Sequence, residues 1–333
     1  MSAEAEALGR SRLARDTLSV MLLILASRLL GFVRDRAVAD VFGMTWETDA
    51  FRAAFNVPDL MFFLLVGGAL NAAFIPVFTE YLARGEEEEG WQLATAFFNL
   101  VIAVLLASTI AGILFTPSLA PLVAYRFEGE QRKLLILLMR IMFPAVFLTA
   151  LAGLATGVHR SYRRFIVAMC GPILYNVGII AGAYGLGPRI GIVGMAIGTV
   201  AGAAANALIQ LPFVVRKARQ FRLRFNPAHP ALRRILRLMA PAVVSLSIFQ
   251  INIIISTNLA SGLAEGDITA LNLANRVIQF PLGVFAMALS TVIFPTLARQ
   301  VARGEFPAFI ETFTKGLRAL FFITIPAGIG LMV

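Results

Sequence analysis

The stretch SRLLGFVRDR (residues 27–36) closes an apolar run, MLLILA (21–26), and puts three arginines and an aspartate where a bilayer-crossing helix should stay apolar. A charge deep in such a helix costs a few kcal/mol or more, so intramembrane ionisable side chains face a bundle interior or a watery cavity. Arg28 and Asp35 are seven residues apart and share a helix face with Gly31 between them, while Arg34 lies roughly 100° around. Snorkelling at the end of the span accounts for Arg36 as well as a lumen does, for Arg34 less well, and for Arg28 not at all.

The composition agrees with a membrane setting. Of 333 residues, 59% are hydrophobic and 14% charged, whereas a soluble domain carries about 25% charged residues. Stretches of about 20 apolar residues, the length that crosses the hydrocarbon layer, occur at nine places: 17–39, 49–81, 91–116, 131–157, 165–186, 190–215, 235–262, 268–298 and 310–333. The fold class is therefore an all-α, polytopic integral membrane protein. The first run lacks a small-residue cleavage site and reads as a retained span. Internal Pro58, Pro76, Pro144, Pro281 and Pro295 predict tilted or kinked helices. Cys170 reads as a core residue, and His159 and His229, beside basic loops, read as solvated, so no metal site is expected. The run Glu86 to Glu89 reads as a solvated loop. Gly178 with Gly182, and Gly194, Gly198 and Gly202, are spaced for close helix packing.

Placing the N-terminus inside collects 17 Lys and Arg in cytoplasmic segments, eight of them in 216–237, and leaves Arg126, Arg132, Lys133 and Arg189 outside. The net charge of +10 is then a topology signal and a contact for anionic headgroups. Nucleic acid is not an expected partner. The segment NAAFIPVFTEYLARGE (71–86) realigns with STVIFPTLARQVARGE (290–305) at an offset of 219, which suggests two related lobes. The expected organisation is a cytoplasmic N-terminus (1–16), a first lobe of six spans (17–215), a basic linker (216–234) and an incomplete second lobe of three spans (235–333). The apolar ending FFITIPAGIGLMV suggests a chain cut short.

Two more spans carry polar stripes. Asp49, Arg52, Asn56 and Asp59 recur at helical spacing in the second span, and Asn272, Asn275, Arg276 and Gln279 do so in the eighth, with the offset pairing Asn56 and Asn275. Interhelical hydrogen bonding would explain the amides alone. Together with Arg28, Arg34 and Asp35 the stripes imply a shared, net cationic lumen. Planar guanidinium groups suit phosphate, so the leading substrate class is an anionic, phosphate-bearing molecule. Neither a P-loop nor a catalytic constellation is present, and the chain is not expected to be an enzyme or to need a cofactor.

ASRLLGFVRDRAVADVFG (26–43), followed by TDAF, AFNVPDL, GGALNAAFIPVF and later ANRVIQFPLGVF, closely resembles the MurJ (MviN) lipid II flippases of the multidrug/oligosaccharidyl-lipid/polysaccharide exporter superfamily. The resemblance implies a MATE-like bundle of fourteen helices in two lobes, of which this sequence would hold nine. It implies a monomeric flippase of the bacterial cytoplasmic membrane, moving undecaprenyl-diphosphate-linked peptidoglycan precursor to the outer leaflet by alternating access. The family's cavity arginines fall on Arg28, Arg34 and Arg276, and its acidic neighbour on Asp35. Where many members have an arginine pair and a glutamate, this sequence has Phe62, Phe63 and Gly67. Substrate contacts are thus expected from Arg28, Arg34, Asp35, Asp49, Arg52, Asn56, Asn275, Arg276 and Gln279. The alternatives are a flippase for another lipid-linked oligosaccharide, or a cation-coupled exporter of amphipathic drugs, which would need a carboxylate-dominated lumen.

Overall fold

The computed structural model describes residues 3–67, 70–221, 230–281 and 287–330. All regular structure among them is helical. The elements are α1 (Ala3–Phe42), α2 (Trp46–Ala54), α3 (Asn56–Phe62), α4 (Ile75–Ala83), α5 (Glu87–Val123), α6 (Gly129–Ser161), α7 (Phe165–Ala181), α8 (Gly187–Ile190), α9 (Ile192–Ala218), α10 (Pro230–Ala260), α11 (Asp267–Pro281), α12 (Met287–Ala302) and α13 (Phe306–Gly330). Widened π-helical turns cover Phe63–Gly67, Leu70–Phe74 and Gly182–Leu186. Six helical stretches among the described residues are long and apolar enough to cross a membrane: Trp46–Gly67, Glu87–Val123, Gly129–Ser161, Phe165–Ile190, Ile192–Ala218 and Ala231–Ala260.

Three expected spans are not among those six. The α1 helix carries Arg28, Arg34 and Asp35 within its apolar stretch, and α13 carries Glu311, Lys315 and Arg318. The run expected at 268–298 is divided into α11 and α12, with residues 282–286 outside the described set. The second span is broken as its prolines predict. Proline removes an N–H and clashes with the preceding turn; the hydrogen-bond ladder is interrupted at Phe55, three residues before Pro58, where the backbone stays right-handed but the N–H turns to the Arg52 carbonyl at 3.4 Å, and it widens into π-turns just before Pro76. Thr45 caps the start of α2, where Glu47 and Asp49 suit the positive end of the helix dipole.

The chain forms two compact units, residues up to Ile268 and from Thr269 onward. In the first, α6 packs on α9, α5 and α2, α7 lies between α1 and α9, and α10 runs along α5, α3 and the first two π-turns. An aromatic core fills one end of the bundle. Phe74 stacks on Phe78 and Phe97, each at 5.2 Å between ring centres, and Trp91 meets Phe78 edge-on at 5.7 Å. In the second unit α12 packs on α13, where Gly316 leaves room for Ile293 and Gln300 donates to Thr312 at 3.0 Å.

The α7–α9 contact is backbone against backbone. A Cβ on Gly178 would lie 2.4 Å from Gly202 Cα, and one on Gly182 would lie 2.7 Å from Gly198 Cα, so the glycines serve packing, as their spacing suggests.

Three sequence expectations need correction. His159 is buried at 1% exposure, because α6 continues to Ser161 and turns the ring onto α9, where it stacks on Phe213 and Nε2 lies 3.0 Å from the Gln210 carbonyl. His229 lies outside the described residues. Cys170 is half-buried instead of lying in the core. Glu87, Glu88 and Glu89 form the first turn of α5, favoured by the helix dipole. Glu87 accepts hydrogen bonds from Tyr162 and, at 3.1 Å, from Lys217. Burial, together with that carboxylate, raises the Tyr162 hydroxyl above its ordinary range, so it remains a donor.

The repeat offset of 219 carries into hydrogen bonding. Thr45 N–H donates to Thr48 Oγ1 at 3.0 Å, and its counterpart Ala264 N–H donates to Asp267 Oδ2 at 2.9 Å. The two repeat-related loops also meet, with Trp46 N–H donating to Glu265 Oε1 at 2.9 Å.

Candidate functional site

Packing of α7 on α1 and a shared facing of α1 and α2 bring three of the expected residues together. Asp35 Oδ1 accepts from Arg34 Nε at 3.2 Å and Nη2 at 3.1 Å, and from Arg52 Nη2 at 3.4 Å. Arg34 Nη1 donates to Asn176 Oδ1 on α7 at 3.0 Å, and Asn176 Nδ2 donates to the Pro172 carbonyl at 3.0 Å. The three charged side chains are largely buried, at 17%, 14% and 10% exposure for Arg34, Asp35 and Arg52. One carboxylate thus lies between two guanidinium groups that cannot lose their protons.

Asn56, one turn beyond Arg52, is buried with its Nδ2 lacking a hydrogen-bond partner among the described residues. Asp59 lies on α3, one turn beyond Asn56. Arg28, on the same face of α1 as Asp35, is exposed. Asp49 is engaged at the end of the bundle, where its Oδ2 accepts the Gly266 N–H at 2.8 Å. Gly266 has φ +90°, and a side chain there would meet the Met44 carbonyl. Asn275, Arg276 and Gln279 are exposed on α11 and belong to the second unit. Arg36 pairs with Asp40 at 3.5 Å, exposed beyond the cluster.

Asn176 was not legible as a site residue, since its only signal is an isolated amide in an otherwise apolar helix. Phe62 and Phe63 meet edge-on at 5.6 Å, and Phe62 lies beside Gly153 of α6. The position of Phe62 is therefore apolar packing. Among the described residues no group of His, Cys, Asp or Glu could hold a metal ion.

Residues 38–333 match the family model described as "Lipid II flippase MurJ". The chain belongs to the lipid II flippase MurJ family. A MurJ relative from Buchnera aphidicola subsp. Acyrthosiphon pisum (strain APS), named "Probable lipid II flippase MurJ", is 32% identical over 321 residues, 95% of this chain and 63% of that protein. The solved structure "Lipid II flippase MurJ, inward closed conformation" aligns with a TM-score of 0.73 and 26% identity over 93% of this chain and 65% of that one. The inward-facing structure of a multidrug resistance MATE family transporter of the MOP superfamily shares the fold at TM-score 0.66 and 17% identity, over 92% of this chain and 68% of that one. This MurJ-family chain is a multi-pass membrane protein with a MATE-like helical architecture, and it spans less than two thirds of the length of either MurJ match.

Proposed function

We propose that the protein takes part in flipping lipid II, the undecaprenyl-diphosphate-linked peptidoglycan precursor, from the inner to the outer leaflet of the bacterial cytoplasmic membrane by alternating access. The observation that supports this reading is the Arg34–Asp35–Arg52 cluster, which gathers two largely buried guanidinium groups where α1 and α2 meet, and planar guanidinium groups suit a phosphate-bearing anion. The same reading assigns further substrate contacts to Arg28 and Asn56 and, on the second unit, to Asn275, Arg276 and Gln279. Asp35 orients Arg34 and Arg52, and Asp49 acts through the loop it holds. The function is transport without catalysis, by a monomer, with the N-terminus cytoplasmic, anionic headgroups on the basic loops, and lobes at 17–215 and 235–333 joined by 216–234.

Each charge-assisted hydrogen bond to a diphosphate is worth about 1.5–3 kcal/mol. Lys keeps the charge but loses the planar fork, so Arg28→Lys and Arg276→Lys should weaken binding by about 10- to 100-fold, with the alanine variants worse. The test is complementation of a strain depleted of its own lipid II flippase, at matched membrane expression. Wild-type growth from both Arg28→Ala and Arg276→Ala would exclude diphosphate recognition by these residues.

A further inference from the structure

The last three turns of α9 present one face on which Leu208, Pro212 and Val215 give way to Arg216 and Arg219, all exposed. With Leu211 they line a groove of about 490 Å³. Leu208 and Arg216 are eight residues apart, about 12 Å along the helix axis. Apolar walls thus lead up to paired guanidinium groups.

The turn between α6 and α7 adds charge beside this face. Arg164 lies over the Phe213 ring at 4.2 Å, and Phe213 is one turn from Arg216. Arg163 has φ 57°, a left-handed conformation that normally falls to glycine. The turn is closed by hydrogen bonds from Arg163 N–H to the Arg160 carbonyl at 3.0 Å and from Arg164 N–H to the His159 carbonyl at 2.8 Å. A position suited to glycine therefore carries a cation. No carboxylate among the described residues forms an ion pair with Arg163, Arg164, Arg216 or Arg219, although Lys217, on the opposite side of α9, pairs with Glu87.

We infer that this groove is a binding site for one anionic phospholipid of the leaflet facing the basic loops, its phosphate on Arg216 and Arg219 and an acyl chain along Leu208, Pro212 and Val215. The α9 helix is about 40 Å long and runs from Gly191 through the bilayer to this end, so the arginines stand at headgroup depth and the leucines in hydrocarbon. A free anion would satisfy the guanidinium groups but not the apolar walls. The assignment of the leaflet as cytoplasmic rests on the orientation proposed above, whereas binding itself does not.

The test uses the purified chain in neutral detergent, titrated with phosphatidylglycerol or phosphatidylcholine while thermal unfolding is followed. Phosphatidylglycerol should raise the unfolding midpoint saturably and phosphatidylcholine should not. The double variant Arg216→Gln/Arg219→Gln should raise the half-saturating concentration about tenfold or more, whereas Arg233→Gln/Arg237→Gln, with the same charge loss on α10, should leave it unchanged. Val215→Trp, which fills the groove, should also abolish the effect without changing charge. Equal losses from both double variants would mean diffuse attraction and overturn the site, as would full phosphatidylglycerol binding by Val215→Trp. If the wild type shows no phosphatidylglycerol effect and Val215→Trp lowers its midpoint, the chain itself fills the groove and the inference fails. Lipid II transport enters none of these readouts, so failure here leaves the flippase reading to its own experiment.

Discussion

Asp35 holds two guanidinium groups in place, and its loss should be felt more than that of either arginine. Removing one partner of a largely buried charge cluster strands the others, at about 3–5 kcal/mol. Asp35→Ala should therefore destabilise the protein by about 3 kcal/mol in detergent denaturation, discounted for the residual exposure of the group. Arg52→Ala should cost less, since Arg34 still grips the carboxylate through two nitrogens. Asp35→Ala as stable as the wild type would rule out the clamp. The stripe that contains Arg52 and the motif that contains Arg34 and Asp35 are legible in the sequence because helical spacing fixes which residues share a face. Asn176 is not, since its role depends on α7 meeting α1, and no periodicity encodes which helix lies alongside which. His159 was misread for a related reason: a basic loop follows it, yet the helix persists two residues further and turns the ring inward.

Among the elements, α7 and α9 make the most exacting contact. A Cβ on Gly198 would lie 2.4 Å from the Gly178 carbonyl oxygen and 2.6 Å from Gly182 Cα, so only backbone movement could admit it. Overpacking of this kind costs about 1–3 kcal/mol. Gly198→Ala should lower the unfolding midpoint by several degrees, while Gly185→Ala, with open space around its added methyl, should not. Equal midpoints for the two variants would show that the helices part without cost. Here the sequence was informative, because four-residue glycine spacing has few purposes in a membrane helix. The π-turns were not, since they follow from how Pro58, Pro76 and their neighbours are accommodated, and prolines mark a break without specifying its geometry.

For the molecule as a whole, orientation is the expectation with the widest reach. In a Cys170→Ser background, Glu128→Cys in the turn between α5 and α6 should react with a membrane-impermeant maleimide in intact cells, and Arg163→Cys only after lysis. The reverse pattern would invert every assignment of leaflet made here. The basic segment and the compact units divide the chain at different places, 216–234 and after Ile268. Composition records where the chain meets headgroups, whereas compactness records which side chains touch, and α10 touches α5 and α3. The repeat was legible at both levels, in the offset of 219 and in the paired loop caps at Thr45 and Ala264.

The glycine seam between α7 and α9 also bears on how the chain is made. Helices leave a translocation channel in chain order, and Asn176, Asn206 and Gln210 would each face hydrocarbon if α7 and α9 emerged singly. A buried amide without partners is costly. The two helices are joined by only the ten residues 182–191 and close backbone to backbone, so they suit release as a hairpin that already covers part of its polar surface. Gln210 donates to Asn206 within α9, and Asn206 rests on Gly171 of α7. In this view the glycines act during biosynthesis as well as in the finished bundle, and widening the seam would be expected to lower membrane yield before it altered any property of the folded protein.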